Sequence, residues 1–228
     1  MGPIHVRLYG RVDLLVNDQR CLVPAGRSLE LLVLLAAWPG TVVIESMVTG
    51  RLAATPSVAV HNEVSHLLSS LRRSVTEVDP AMTDGWIERV HGGFAVAPEF
   101  VSSDLSEAEA LLEADPNDTS VMWWSEPLVG LPEEPFLHIR SRLDTLSLDL
   151  ARVALTRPQS TIGRVEIDRL LELLSRHPDA QELWALLVDA AIAIGDESAI
   201  RDVRTELDFV YRSLGEPIPA AMLDRLGG

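Results

Sequence analysis

From Phe136 onward the chain carries four apolar stripes at helical spacing, joined by connectors that leave room for little but turns. "FLHIRSRLDTLSLDLARVAL" puts Leu137, Leu143, Leu146, Leu150 and Leu155 on a stretch with no breaker, which predicts one long helix. After the "TRPQSTIG" loop come "RVEIDRLLELLSRHP", "DAQELWALLVDAAIAIGD" and "ESAIRDVRTELDFVYRSLGEPI". Each predicts a helix, and Pro or Gly marks the connectors. Helices in series on short connectors pack as antiparallel neighbours, so this half reads as an α-solenoid of the tetratricopeptide (TPR) type with degenerate repeats. Upstream, "SDLSEAEALLEAD" predicts an amphipathic helix that starts at Ser103 or Asp104 and ends at Asp115-Pro116. "DTSVMWWSEPLVGLPEEPF" predicts a helix followed by a proline-marked loop.

The first hundred residues have a different period. "IHVRLYGRVDLLVN" alternates apolar and polar residues around Gly10, which is strand periodicity, and "DQRCLVPAG" reads as a turn and a further short strand. "RSLELLVLLAAWPG" switches to helical spacing, with Ser28 as the expected N-cap and Pro39-Gly40 as the stop. "TVVIESMVTGRL" predicts a short extended piece and then a short helix capped near Ser46. The next helix is "VAVHNEVSHLLSSLRRSV". Val60, Val64, Leu67, Leu68 and Leu71 form its apolar stripe, and Asn62, Ser65, His66, Ser69 and Arg73 face the other way. "WIERVHGGFAVAPEF" predicts a hairpin turning at Gly92-Gly93. Small sheet, three helices, then hairpin is the winged-helix order, in which the third helix offers its outer face to the DNA major groove and the hairpin reaches the neighbouring backbone. The expected architecture is therefore an α+β winged helix-turn-helix followed by an all-α TPR-like domain.

Charge divides the same way. All 19 basic residues are arginine, and the net charge is −15. Residues 1–100 hold 8 Arg against 10 Asp and Glu, whereas residues 101–228 hold 11 against 24. The front is near neutral, so a phosphate grip there needs a local arginine patch. The acidic back half repels nucleic acid and suits a protein partner or solubility. The DNA-contact candidates are Asn62, Ser65, His66, Ser69, Arg72 and Arg73 on the helix, with Arg89 and His91 on the hairpin. Arg pairs bidentately with guanine, Asn with adenine, and Ser and His reach phosphate.

Other chemistries lack their residues. The six histidines have no metal-ligand spacing, and the single cysteine, Cys21, removes disulfide and cysteine–zinc frameworks. A chain without lysine has no phosphate-loop lysine, and no nucleophile-elbow pattern is present. We therefore expect no enzyme activity, no cofactor and no metal. Trp123, Trp124 and Trp184 read as packing residues. The longest apolar run is too short to span a bilayer, and "MGPIHVRLYG" lacks signal-peptide regions, so the expected location is the cytoplasm.

The chain resembles the SARP-type antibiotic regulatory proteins, which join an OmpR/PhoB-like winged helix to a bacterial transcriptional activator domain, BTAD. The residues behind the resemblance are "HPDAQELWALLVDAAIAIGDESAIRDVRTELDFVYRSLGEPIPAAMLDRL", "WWSEPLVGLPEEPF", "LLVLLAAWPGTVV", "LLSSLRR" and "HGGFAVAP". The departures are the absence of tryptophan from "VTGRLAATPS", Ser70 before Leu71-Arg72-Arg73, and Phe94 where the family has tyrosine. The resemblance implies a winged-helix domain over 1–98 and a BTAD over 101–228. It also implies a transcription regulator that binds double-stranded DNA and meets a protein partner, or a second copy, through the helical domain. The alternative left open is a winged-helix/BTAD scaffold module that does not bind DNA, such as the tail of a larger protein.

Overall fold

A computed structural model describes residues 3–44, 58–82, 85–113, 125–156 and 162–227. The expected middle helix near Ser46, the helix before "SEPLVG" with Trp123 and Trp124, and the stop at Asp115-Pro116 lie outside these residues. The chain packs as two compact units, Met1–Ala110 with Pro127–Leu143, and Leu111–Glu126 with Asp144–Gly228.

The first unit contains two sheets. β1 (Ile4–Arg7) pairs antiparallel with β2 (Asp13–Val16), which turns into β3 (Gln19–Cys21). The turn uses Asn17 and Asp18 at φ 47° and 65°, a left-handed pair that these two side chains tolerate and that matches strand twist. Alternation buries Ile4 and Val6 on one face of β1, and Leu8, just past its end, is buried too. α1 (Arg27–Ala36) buries every residue from Leu31 to Ala36 and is the central helix of the unit. Its N-cap is Gly26 at φ 79°, a conformation suited to glycine, and Ser28 lies inside the helix and is buried. The expected Ser28 cap is thus corrected: Ser28 lies two residues past the cap.

α2 (Val58–Val78) is the expected amphipathic helix, with Val64, Leu68, Leu71 and Val75 buried. β4 (Val43–Ile44), β6 (Gly93–Val96) and β5 (Ile87–Val90) form the second sheet in that order. Val90 pairs with Gly93, so the hairpin turn is His91-Gly92 with Gly92 at φ 85°, one residue earlier than the Gly-Gly spacing predicts.

The chain then adds a strand, β7 (Val101–Ser103), parallel to β1, before α3 (Asp104–Glu113) begins. The helix expected to start at Ser103 or Asp104 begins at Asp104, and three residues of strand that the sequence pattern does not mark precede it. The segment after α3 also belongs here. Leu128 N–H donates to Leu8 O and Val129 N–H to Gly10 O, both at 2.8 Å. Arg140 holds this strap by donating to the carbonyls of Pro127, Leu128 and Leu131. One cation on three carbonyls is a charge-assisted clamp. Arg140→Ala should cost about 3 kcal/mol in urea unfolding, because the carbonyls lose their donor. Arg140→Met, which keeps the apolar stem, should fare little better.

α4 (Leu137–Thr156) is the unbroken helix its leucines predict; residues to Leu143 count with the first unit and those from Asp144 with the second. In the second unit α5 (Arg164–Ser175), α6 (Gln181–Ile194) and α7 (Glu197–Leu214) pack against one another, and α8 (Ala220–Arg225) closes on α6. α8 follows Pro219 and is a turn and a half of helix beyond the last one the apolar spacing predicts. The core holds Ile167, Leu170, Leu173, Leu183, Leu187, Val203, Leu207 and Tyr211 around Trp184, which is fully buried as a packing residue should be. Gly195 and Gly215 end α6 and α7 in the left-handed conformation, and Asp196 caps α7 by accepting from Ser198 N at 2.8 Å. The Ser198 bonds hold the Asp196 carboxyl below the usual carboxylate range.

Candidate nucleic-acid interface

α2 presents a polar outer face because its apolar stripe is committed to α1 and the sheet. Ser65, His66, Ser69 and Arg73 are exposed. Ser69 Oγ donates to Ser65 O at 2.8 Å, a local bond that leaves the hydroxyl oxygen outward as an acceptor. Asn62 is in the helix, and its side chain lies outside the described residues. Ser74 Oγ donates to Leu22 O at 2.8 Å, pinning the buried side of the helix beside β3.

Arg72 and Arg73 are adjacent and differ in position. Arg73 is exposed, whereas Arg72 is partly buried and donates to Ile87 O, the first residue of β5, at 2.8 Å. Arg72 thus ties the C-terminal half of α2 to the base of the hairpin. On the hairpin, Arg89 is exposed and lies opposite Phe94, its guanidinium 5.9 Å from the ring centre. His91 is exposed on the turn itself. The structure therefore brings Arg72 into direct contact with the hairpin, puts Arg89 and His91 on that hairpin, and leaves Ser65, His66, Ser69 and Arg73 on open helix surface.

Two groups escaped sequence reasoning. Arg27, the first residue of α1, forms an ion pair with Glu63 of α2. Nothing in the local pattern marks an arginine at the start of α1 as the partner of a residue 36 positions later on α2. The other group is a polar knot around the buried Asp104. His5 Nε2 lies 3.0 Å from Asp104 Oδ1, and His5 Nδ1 lies 3.0 Å from Ser102 Oγ and 3.2 Å from Glu107 Oε1. Asp104, 1% exposed, also accepts from Leu8 N at 2.5 Å and Tyr9 N at 2.8 Å. Burial works against the charged imidazole, but the bonds and charges of Asp104 and Glu107 outweigh it and raise the His5 pKa to about 9. Among the described residues no cluster of three or more His, Cys, Asp or Glu could hold a metal ion. None of their helices is long and apolar enough to cross a membrane.

The fold defines a class: a small N-terminal sheet region of winged-helix type followed by a helical domain. No protein-family profile matches the chain, and no curated protein sequence matches it. Among solved structures it is similar to Mycobacterium tuberculosis EmbR, in a structure described as a complex with a low affinity phosphopeptide. The TM-score is 0.62 at 15% identity, over 100% of this chain and 70% of that one. At that identity the likeness establishes the fold alone.

Proposed function

We propose that this chain is a SARP/BTAD-like transcription regulator that holds double-stranded DNA with α2 and the β5–β6 hairpin and meets protein partners through its acidic helical domain. The observation that carries this reading is the Arg72–Ile87 bond, which fixes the recognition-type helix to the wing-type hairpin while Arg73 stays free of protein bulk. In this reading residues 1–98 carry DNA contact and 101–228 the BTAD role. The packing units cut across that division because β7 and the Arg140 strap complete the first sheet.

Ser65, His66 and Ser69 serve hydrogen bonding to bases and phosphate, and Asn62 serves adenine. Arg73, Arg89 and His91 serve backbone neutralisation. Arg72 holds the two elements in register. No step of this function calls for catalysis or a cofactor. The EmbR structure contains a phosphopeptide, which supports protein interaction as the second role; a homodimer is the simplest partner to test.

Ser69→Glu tests the helix face. It places a negative charge at the centre of the outward surface, where phosphate and base edges would lie. Fluorescence anisotropy on random duplex DNA at low salt should show binding by the unaltered chain and a loss of tenfold or more for the variant, roughly 1.4 kcal/mol. Equal binding by both would move the DNA site off α2. No binding by the unaltered chain would favour the scaffold reading.

A further inference from the structure

The arginines assigned to the DNA face, Arg72, Arg73 and Arg89, lie in the C-terminal half of α2 or on the hairpin. The N-terminal half of a recognition helix is the part that approaches base edges most closely, and phosphates flank it. Among the described residues, an arginine that reaches this half is Arg27, which is 48% exposed and meets α2 from the start of α1. Its charge is taken up by Glu63, itself 37% exposed, on the flank of the α2 outer face.

We propose that Glu63 is an electrostatic brake on DNA binding, holding Arg27 away from a backbone phosphate at the N-terminal half of α2. The proposal deepens the DNA-binding reading and rests on it. An acidic group beside the docking face repels phosphate and at the same time engages a cation, Arg27, that could neutralise it there. An exposed ion pair of this kind contributes little to folding. Its charges matter more to a polyanion arriving at the same surface, where each new phosphate contact releases condensed counterion. The device would keep non-specific binding weak in the near-neutral front half. Specific sites would then have to supply affinity through the Ser65–His66–Ser69 face.

The test is a salt titration of anisotropy on random duplex DNA with the full chain and three variants: Glu63→Gln, Arg27→Ala and the double variant. Thermal melts check that each is folded; both side chains are half-exposed, so the substitutions should be tolerated. Glu63→Gln should raise affinity roughly five- to tenfold at 0.1 M salt and steepen the log–log salt slope by about 0.9, one released phosphate contact. Arg27→Ala, which leaves Glu63 bare, should weaken binding without changing the slope. In the double variant the slope should return to that of the unaltered chain. An unchanged slope in Glu63→Gln, with the unaltered chain binding normally, overturns the brake and leaves the DNA reading intact. A steepened slope that persists in the double variant overturns the role of Arg27. Absence of binding by all four proteins at 25 mM salt overturns the DNA reading itself, and the brake with it.

Discussion

Asp104→Ala should be among the most damaging single substitutions in the first unit, costing about 3–5 kcal/mol of stability. The carboxylate is buried and has three partners: the His5 ring and the backbone N–H groups of Leu8 and Tyr9. Alanine leaves two buried donors unpaired and a partly buried imidazolium with only Glu107 as counter-charge. The pH dependence follows from the same knot. His5 titrates near 9 in the folded chain against 6.5 as a free side chain, so the native state holds its proton more tightly. Its contribution is complete below pH 6.5 and is lost as pH rises through 9. Over that window stability should fall by on the order of 3 kcal/mol. Urea melts at pH 6 and pH 9.5 would check this. In Asp104→Ala the fall should be smaller, since only the Glu107 contact remains. A chain equally stable at both pH values would refute the charged-knot account.

The second large effect lies in the helical unit. Trp184 is fully buried among Leu183, Leu187, Val188 and the helices on either side. Trp184→Ala should cost about 3–5 kcal/mol, the transfer energy of the ring plus the cavity it leaves. Among the described residues the indole N–H has no hydrogen-bond partner. The ring is therefore held by packing alone, and Trp184→Phe should lose far less, about 1.5 kcal/mol. Thermal or urea unfolding of the two variants separates these cases. A Phe variant as unstable as the Ala variant would mean that the N–H has a partner such as a buried water.

The parts of the fold that were legible in the sequence are those with long periods. Of the expected α2 stripe, Val64, Leu68 and Leu71 are buried, Leu67 is partly buried and the Val60 side chain lies outside the described residues, while Val75 extends the buried face one turn further. The long helix from Leu137 and the three after it have apolar residues at every turn and no internal breaker. What stayed hidden depends on partners far along the chain. β7 has three residues, too few to show alternation, and its partner β1 lies about a hundred positions earlier. The His5–Asp104 knot spans the same gap. Arg140 on a helix reads as a solvated charge, and only the strap's return to β1 gives it three carbonyls. The candidate interface was legible in outline. Adjacent arginines at the end of α2 point about 100° apart on a helix, enough to set Arg73 outward and Arg72 toward its flank. That Arg72 finds a hairpin carbonyl required the hairpin's position, which no local pattern encodes.

The central claim is that α2 and the hairpin form a DNA-binding surface with Arg73 in contact with phosphate. Its most direct test is the salt dependence of affinity for duplex DNA, compared between the unaltered chain and Arg73→Ala. Affinity should fall steeply with salt, and Arg73→Ala should flatten the slope by about 0.9 with no change in the thermal melt. A slope that Arg73→Ala leaves unchanged would contradict the claim.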